Sequence, residues 1–128
     1  MEPISINLNC DLREIVRTRR VKGCLFTGDN GGNIINVNVY EDGKPVNLAG
    51  WTVTGKIIKP NGTMSSSISG GVSQEVSNRA YLVLPSEAYA LSGDITIFIK
   101  MTKGTTNTTI AAIVVNVFQS STGTVIGP

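Results

Sequence analysis

Basic side chains are concentrated in one short stretch of the chain. Five of the eleven positive charges fall within ten residues, at Arg13, Arg17, Arg19, Arg20 and Lys22. Arginine pairs with carboxylates and phosphates through two parallel hydrogen bonds, so the stretch could dock on an acidic protein, touch nucleic acid or be a solvated loop. Aromatic side chains on which bases could stack are scarce around it. We therefore expect no nucleic acid partner and take these five residues as the candidate partner-binding set.

The composition provides few side chains that could act in catalysis. The chain has no histidine, the commonest general base and the commonest metal ligand, and it has nine carboxylate side chains. Asp11 with Glu14, and Asp29 with Asp42, are the pairs that could share acid–base work. Nothing in the sequence orients either pair, and both Asp29 and Asp42 adjoin a glycine, where aspartate is typical of turns. We predict no catalytic residue and no enzyme.

Neither the glycine-rich loop nor the cysteines indicate a cofactor. Gly28–Gly32 lacks the lysine and the following helix of a phosphate-binding loop, and it lacks the spaced acidic ligands of a calcium loop. Cys10 and Cys24 fit no zinc spacing and no redox pair. They could form one disulfide, or each could be a small buried thiol. We expect no metal ion and no cofactor.

The few aromatic residues leave two interpretations open. Trp51 opens a segment of alternating apolar residues, which predicts a place in the core, and the alternative is a ring on which a sugar stacks. Tyr40, Tyr81 and Tyr89 could each place a hydroxyl at an interface, although the edge of a core is our expectation for all three. Stacking by Trp51 together with a tyrosine would indicate a carbohydrate-binding module.

Composition and periodicity predict the elements that must position these residues. Val, Ile and Thr make up 40 of the 128 residues, and such β-branched side chains favour strands over helices. Apolar and polar residues alternate with a period of two in segments that end at Gly, Asn, Asp or Pro turns. About eight short strands are expected, of which Asn33–Tyr40 is the clearest; others include Ile4–Asn9, Trp51–Lys59, Asp94–Thr102 and Thr108–Phe118. No helix of crossover length separates them, which predicts one antiparallel β-sandwich or barrel.

The length predicts one domain, at roughly 150 residues per domain. We divide the chain into an N-terminal arm at 1–20, a β-sandwich domain at 21–122 and a tail at 123–128. The first residues lack the basic and apolar regions of a secretory signal, and no apolar run reaches the roughly 18 residues of a membrane-spanning helix. We therefore expect no membrane association.

A series of turn motifs gives the centre of the chain a resemblance to known families. Gly28-Asp29-Asn30-Gly31 precedes an alternating strand, and the segments that follow in order are Glu41-Asp42-Gly43-Lys44-Pro45-Val46-Asn47-Leu48-Ala49-Gly50, Trp51-Thr52-Val53 and Lys59-Pro60-Asn61-Gly62-Thr63. This order resembles the N-terminal domain of phage baseplate upper proteins. The later part, from Tyr81 to Thr122, is similar to small head-fibre and capsid-auxiliary proteins of tailed phages. The resemblance covers roughly residues 21–122 and implies an all-β fold with a single antiparallel, immunoglobulin-like β-sandwich.

The same resemblance implies a function in the virion. We expect a non-enzymatic structural protein of a tailed phage that binds the capsid surface as a head-fibre base or decoration protein, with the major capsid protein as its partner. Baseplate upper proteins continue beyond a domain of this size, whereas this sequence ends at Pro128, which favours a stand-alone capsid component. The expected location is the capsid exterior, after synthesis in the cytoplasm of the bacterial host, and the protein could form a homo-oligomer. The alternatives are a baseplate or tail adaptor of the same fold and a carbohydrate-binding module.

Overall fold

The computed structural model describes residues 5–14, 18–26 and 33–118, and every element in them except one is a β-strand. The bounds are β1 Ser5–Asp11, β2 Thr18–Phe26, β3 Ile34–Glu41, β4 Lys44–Pro45, β5 Thr52–Ile58, β6 Ile68–Val72, β7 Arg79–Val83, a 3-10 helix Ser86–Tyr89, β8 Gly93–Lys103 and β9 Thr106–Phe118. The all-β prediction is confirmed.

One curled sheet contains all of these strands. The strand order is β1-β3-β7-β6-β5-β8-β9-β2, with the short β4 paired to β3. The sheet curls into a half-barrel, and apolar side chains fill its inner side. Strands near in sequence are therefore not always neighbours, since β1 and β2 stand at opposite ends of the order.

Strand direction differs from the sequence prediction at both ends of this order. β1 pairs with β3 in parallel and β2 pairs with β9 in parallel, while the other pairs are antiparallel. The prediction of a purely antiparallel sheet is wrong for these two pairs, and the sheet is mixed. The reason is that alternation reports which face of a strand is buried and carries no information on the direction of its partner. The immunoglobulin-like sandwich is not confirmed.

The short strand β6 joins the two halves of the sheet. Residues 68–69 pair with β5, whereas residues 70–72 pair with β7. Gly70 is required at this crossing, because a Cβ there would contact the carbonyl oxygen of Tyr81 and lie 2.9 Å from Cγ1 of Val53. The small residues of β6 therefore allow a close approach of the neighbouring strands.

The core consists mainly of inward side chains of the strands, with Leu48 added from the loop after β4. Burial alternates along β3, β5 and β8 and along β9 from Ala111 onward, because every second side chain of a strand points to the same surface of the sheet. The largest fully buried side chains are Ile35, Leu48, Ile57, Leu82, Ile95, Ile97, Ile99, Met101, Ile110 and Ile113. Where β1 and β3 face β9, a cavity of only about 10 Å³ remains. The interior is therefore closely packed.

The first strand belongs to this core. β1 pairs with β3 along its whole length, and its Ile6 and Cys10 side chains are buried. Part of the predicted arm at 1–20 is therefore a strand of the sheet. The division into arm, domain and tail stays a prediction, and the tail at 123–128 lies outside the described residues, as does the side chain of Cys24.

Candidate functional site

The candidate partner-binding residues are divided between two strand ends. Arg13 follows the end of β1 with an exposed side chain, whereas Arg20 lies on β2 beside β9. These two strands stand at opposite ends of the strand order. Arg17 lies outside the described residues, and so do the side chains of Arg19 and Lys22. Partner binding by this set stays a prediction.

A carboxylate of the same molecule already holds Arg20. The Arg20 guanidinium donates to Asp94 at 3.4 Å to Oδ1 and 2.8 Å to Oδ2, and the Asn116 amide donates to Asp94 Oδ1 at 2.9 Å. These hydrogen bonds lower the pKa of Asp94 to about 2, and the bond from the Arg20 guanidinium has a larger effect than the bond from the Asn116 amide. The pairing with Asp94 raises the pKa of Arg20. Asp94 therefore stays ionised at neutral pH. Its negative charge offsets part of the positive charge that Arg20 could present to a partner molecule.

The Asp11 carboxylate stabilises the hairpin turn at Asp42 and Gly43. Its Oδ1 accepts the backbone N–H groups of Arg13 and Asp42 at 3.0 and 2.9 Å, and its Oδ2 accepts that of Gly43 at 2.9 Å. These donors, with that of Arg13 first, hold the pKa of the Asp11 carboxyl below its ordinary value. Asp42 and Gly43 have φ values of 53° and 79°, as the central residues of a two-residue hairpin turn require. Asp11 is thus a structural group, and Asp29, which the sequence analysis pairs with Asp42, lies outside the described residues.

The outer surface of β1, β3 and β7 is a polar ladder. The Asn36 amide donates to Asn7 at 3.0 Å, and the Asn38 amide donates to Asn9 at 3.1 Å. The Nε of Arg79 then donates to the Asn38 oxygen at 2.9 Å. These side chains bond one another across strands, which stabilises the pairing of the sheet. A shallow groove of about 330 Å³ beside the ladder is lined by Ile34, Asn36, Ser73, Gln74, Glu75, Arg79 and Tyr81.

The outer surface of β5 and β8 has a different character. A groove of about 320 Å³, called here the β5–β8 groove, is lined by Thr54, Gly55, Lys56, Met64, Ser67, Phe98, Lys100 and Thr109. Phe98 stands opposite Lys56 of β5 on one side and Ala112 of β9 on the other. The Met64 side chain is 54% exposed. This groove therefore combines apolar side chains with two lysines on a surface that faces away from the core.

Sequence reasoning missed the β5–β8 groove, although part of its signal is present in the sequence. The alternation over Asp94–Thr102 turns the isoleucines inward and therefore leaves Phe98 and Lys100 outward. A phenylalanine at a solvent-facing position of a strand is unusual enough to be a signal. Its groove neighbour Lys56 comes from a distant segment, so only the sheet order brings Lys56 beside it. Thr109 lies on the next strand of the same hairpin and pairs with Lys100.

Trp51 packs against the core that the sequence predicts for it, although it is only partly buried. Its ring is partly buried against the core cluster, and the Nζ of Lys103 lies 6.0 Å from the ring centroid. A cation over an aromatic face is attracted by the ring electrons and occupies a face that a sugar would need. Tyr40 and Tyr81 are half-buried. The side chain of Tyr89 is not among those that the structure describes.

Within residues 5–14, 18–26 and 33–118, no group of three or more metal-ligating side chains comes together. In the same part of the chain, no helix has the length and the apolar character needed to cross a membrane.

Comparison with solved structures shows a fold shared with a domain of a phage protein. The chain is similar to the N-terminal domain of ORF48 of phage TP901-1, with a TM-score of 0.54 and 10% sequence identity. The match covers 92% of this chain and 99% of that one. No family model and no curated protein matches the sequence. At this identity, the similarity establishes a common fold.

Proposed function

We propose that the protein is a non-enzymatic structural component of a tailed-phage virion, in which it binds another virion protein. The observation that carries the proposal is the fold that 92% of the chain shares with the N-terminal domain of a phage protein. Its specific place is the capsid exterior, as a head-fibre base or decoration protein bound to the major capsid protein. The sequence resemblance to head-fibre and capsid-auxiliary proteins supports that place.

The roles of three carboxylates among the described residues support a binding function over a catalytic one. Asp11 accepts three backbone donors and Asp94 accepts a guanidinium and an amide. Glu87 pairs with the Lys59 ammonium at 3.1 Å. Each of these carboxylates serves the fold, whereas both larger grooves lie on outer surfaces of the sheet. A closely packed sheet can present such surfaces to a partner with little loss of conformational freedom.

A baseplate or tail adaptor is the second candidate. The order of turn motifs resembles the N-terminal domain of baseplate upper proteins, and the structural match is likewise to an N-terminal domain of a phage protein. A carbohydrate-binding module has less support, because the Trp51 ring packs against the core and carries Lys103 over one face.

Localisation on intact particles tests the proposal. We expect mass spectrometry of purified virions to detect the protein and cryo-electron microscopy to show half-barrel density on the capsid exterior. Particles from a phage that lacks the gene are the control and should lose that density alone. Density at the tail or baseplate would select the second candidate, and absence of the protein from purified virions would overturn both.

A further inference from the structure

The outward side chains of β5, β8 and β9 include an apolar strip. Its members, together with a neighbouring side chain from the loop before β6, are Ile58, Phe98, Ala112, Val114 and Met64, and each is at least partly exposed. Of these side chains, Phe98 and Met64 line the β5–β8 groove. Outward positions of an antiparallel sheet are normally polar, so a group of apolar side chains on such a surface, here with Thr96 between Ile58 and Val114, indicates an interaction site.

The other half of the same sheet provides an internal comparison. On the outer surface of β1, β3 and β7, four amides and Arg79 bond one another across the strands, beside Ile34, Tyr81 and the exposed Val83. In the β5–β8 groove, the two cationic side chains have no such partner within the part of the chain that the structure describes. Lys56 and Lys100 form none of the ion pairs found there, and no carboxylate lines the groove. The two halves thus present different chemistry to their surroundings.

We propose that the β5–β8 groove binds an acidic, extended segment of a neighbouring virion protein, with an apolar side chain of that segment seated against Phe98. This inference rests on the proposed function and names the surface and the partner chemistry that carry it out. Carboxylates of the segment would meet Lys56, which faces Phe98 across the strand pair, and Lys100, which follows Phe98 on the same surface. A volume of about 320 Å³ suits a few side chains of a segment.

Charge favours an acidic protein segment in the groove over the C-terminal residues of this chain and over nucleic acid. Residues 119–128 of the chain contain no charged side chain and therefore offer no carboxylate side chain to the two lysines. Nucleic acid would need a track of cations along its phosphates, but Arg20, a further cation on this half of the sheet, is already held by Asp94. An acidic protein segment could pair its carboxylates with the lysines and pack an apolar side chain against the apolar strip.

Zero-length carbodiimide crosslinking of intact virions tests the contact directly, because this reagent joins a lysine amine only to a carboxylate that touches it. We expect Lys56 or Lys100 to be linked to an Asp or Glu of one other virion protein. Links from these lysines only to a second copy of this chain would overturn the proposal in favour of a homo-oligomer interface. Links to another virion protein from Lys44 alone would overturn it as well.

Charge reversal provides the second arm of the experiment. Lys56→Glu and Lys100→Glu are each expected to lower the number of copies per particle by about tenfold, because a carboxylate would then face the acidic segment. Lys44→Glu makes the same change of charge on exposed β4 and should leave the copy number unchanged. Thermal melting of each purified variant checks that it folds.

The outcomes separate the groove from the proposed function. Equal incorporation of wild type, Lys56→Glu and Lys100→Glu would overturn the groove and leave the virion function standing. Absence of the wild-type protein from virions would overturn the virion function and the inference that rests on it.

Discussion

Asp11 links the end of the first strand to the hairpin between β3 and β4. Its carboxylate accepts the N–H of Arg13 nearby and those of Asp42 and Gly43, which lie 31 and 32 residues further along the chain. The sequence offers Glu14 as a carboxylate near Asp11, and no catalytic role is predicted for either. The actual partners are backbone groups, which carry no side-chain signature, and so a sequence pattern could not have revealed this role.

Replacement of this carboxylate should loosen the hairpin. Asp11→Ala is expected to lower the melting temperature, because three backbone donors lose their acceptor and must be hydrated instead. The measurement is thermal unfolding followed by circular dichroism. Glu41→Ala removes an exposed carboxylate from the same hairpin and serves as the control. A melting temperature of Asp11→Ala equal to that of Glu41→Ala would show that these bonds contribute nothing to stability.

Asp94 makes stability depend on pH in the acid range. Its pKa falls from an ordinary value of 3.8 to about 2 in the folded chain. A lowered folded pKa means that its contribution is complete above about pH 4 and is lost as the pH falls through 2. Urea unfolding between pH 7 and pH 2 should therefore show wild type more stable than Asp94→Asn, with the difference constant above pH 4 and shrinking below it.

Asp11 has a lowered pKa in both proteins, so its contribution cancels in this comparison. A difference between wild type and Asp94→Asn that stays constant down to pH 2 would contradict the assigned pKa. Titration of the Asp94 carboxyl by NMR gives the same pKa independently.

At the scale of elements, alternation identified the strands but not their arrangement. β3, β5, β8 and β9 coincide closely with alternating segments, because a period of two reports a strand with one buried surface. Strand order and direction depend on contacts between distant segments, such as the parallel pairing of β1 with β3. The same limit applies to the site, because Lys56 and Phe98 are 42 positions apart in the numbering and meet only through that order.

Gly70 should be the most sensitive position of β6. An added Cβ would meet the carbonyl oxygen of Tyr81 and a side chain of Val53, and backbone cannot move aside as a flexible side chain can. We expect Gly70→Ala to destabilise the fold by about 1–3 kcal/mol, as overpacking does in close-packed interiors. Ser69→Ala, at the exposed neighbouring position, is the matched control and should be nearly neutral. Chemical denaturation of both variants gives the comparison, and equal stabilities would contradict the close approach.

The described part of the chain forms a half-barrel, and the two halves of its outer surface differ chemically. On one half, amides satisfy each other across strands, and on the other half an apolar strip lies beside two lysines. The core holds both surfaces in fixed register, because the inward residues of the same strands are fully buried. A substitution on one surface can therefore be expected to affect that surface alone, which makes single charge reversals interpretable.

Removal of the first strand, in contrast, should affect the whole fold. β1 supplies the buried Ile6 and Cys10 and pairs with β3 through seven residues. A chain that lacks residues 1–11 is therefore expected to lose cooperative unfolding and to aggregate, because removal of two buried side chains and a strand costs several times the roughly 2–5 kcal/mol of one large-to-small core substitution. Circular dichroism and size-exclusion chromatography measure both effects.

The double variant Asn7→Ser with Asn9→Ser is the control for this deletion, since it keeps β1 and removes only its outward amides. A truncated chain that stays folded and monodisperse would show that β1 is dispensable. If deletion of residues 1–11 unfolds the protein, the longer deletion of residues 1–20 cannot test the arginines. Any loss of particle binding by that longer deletion would then result from loss of the fold. The predicted role of Arg13 and Arg20 in binding must therefore be tested by charge reversal at these positions in the full chain.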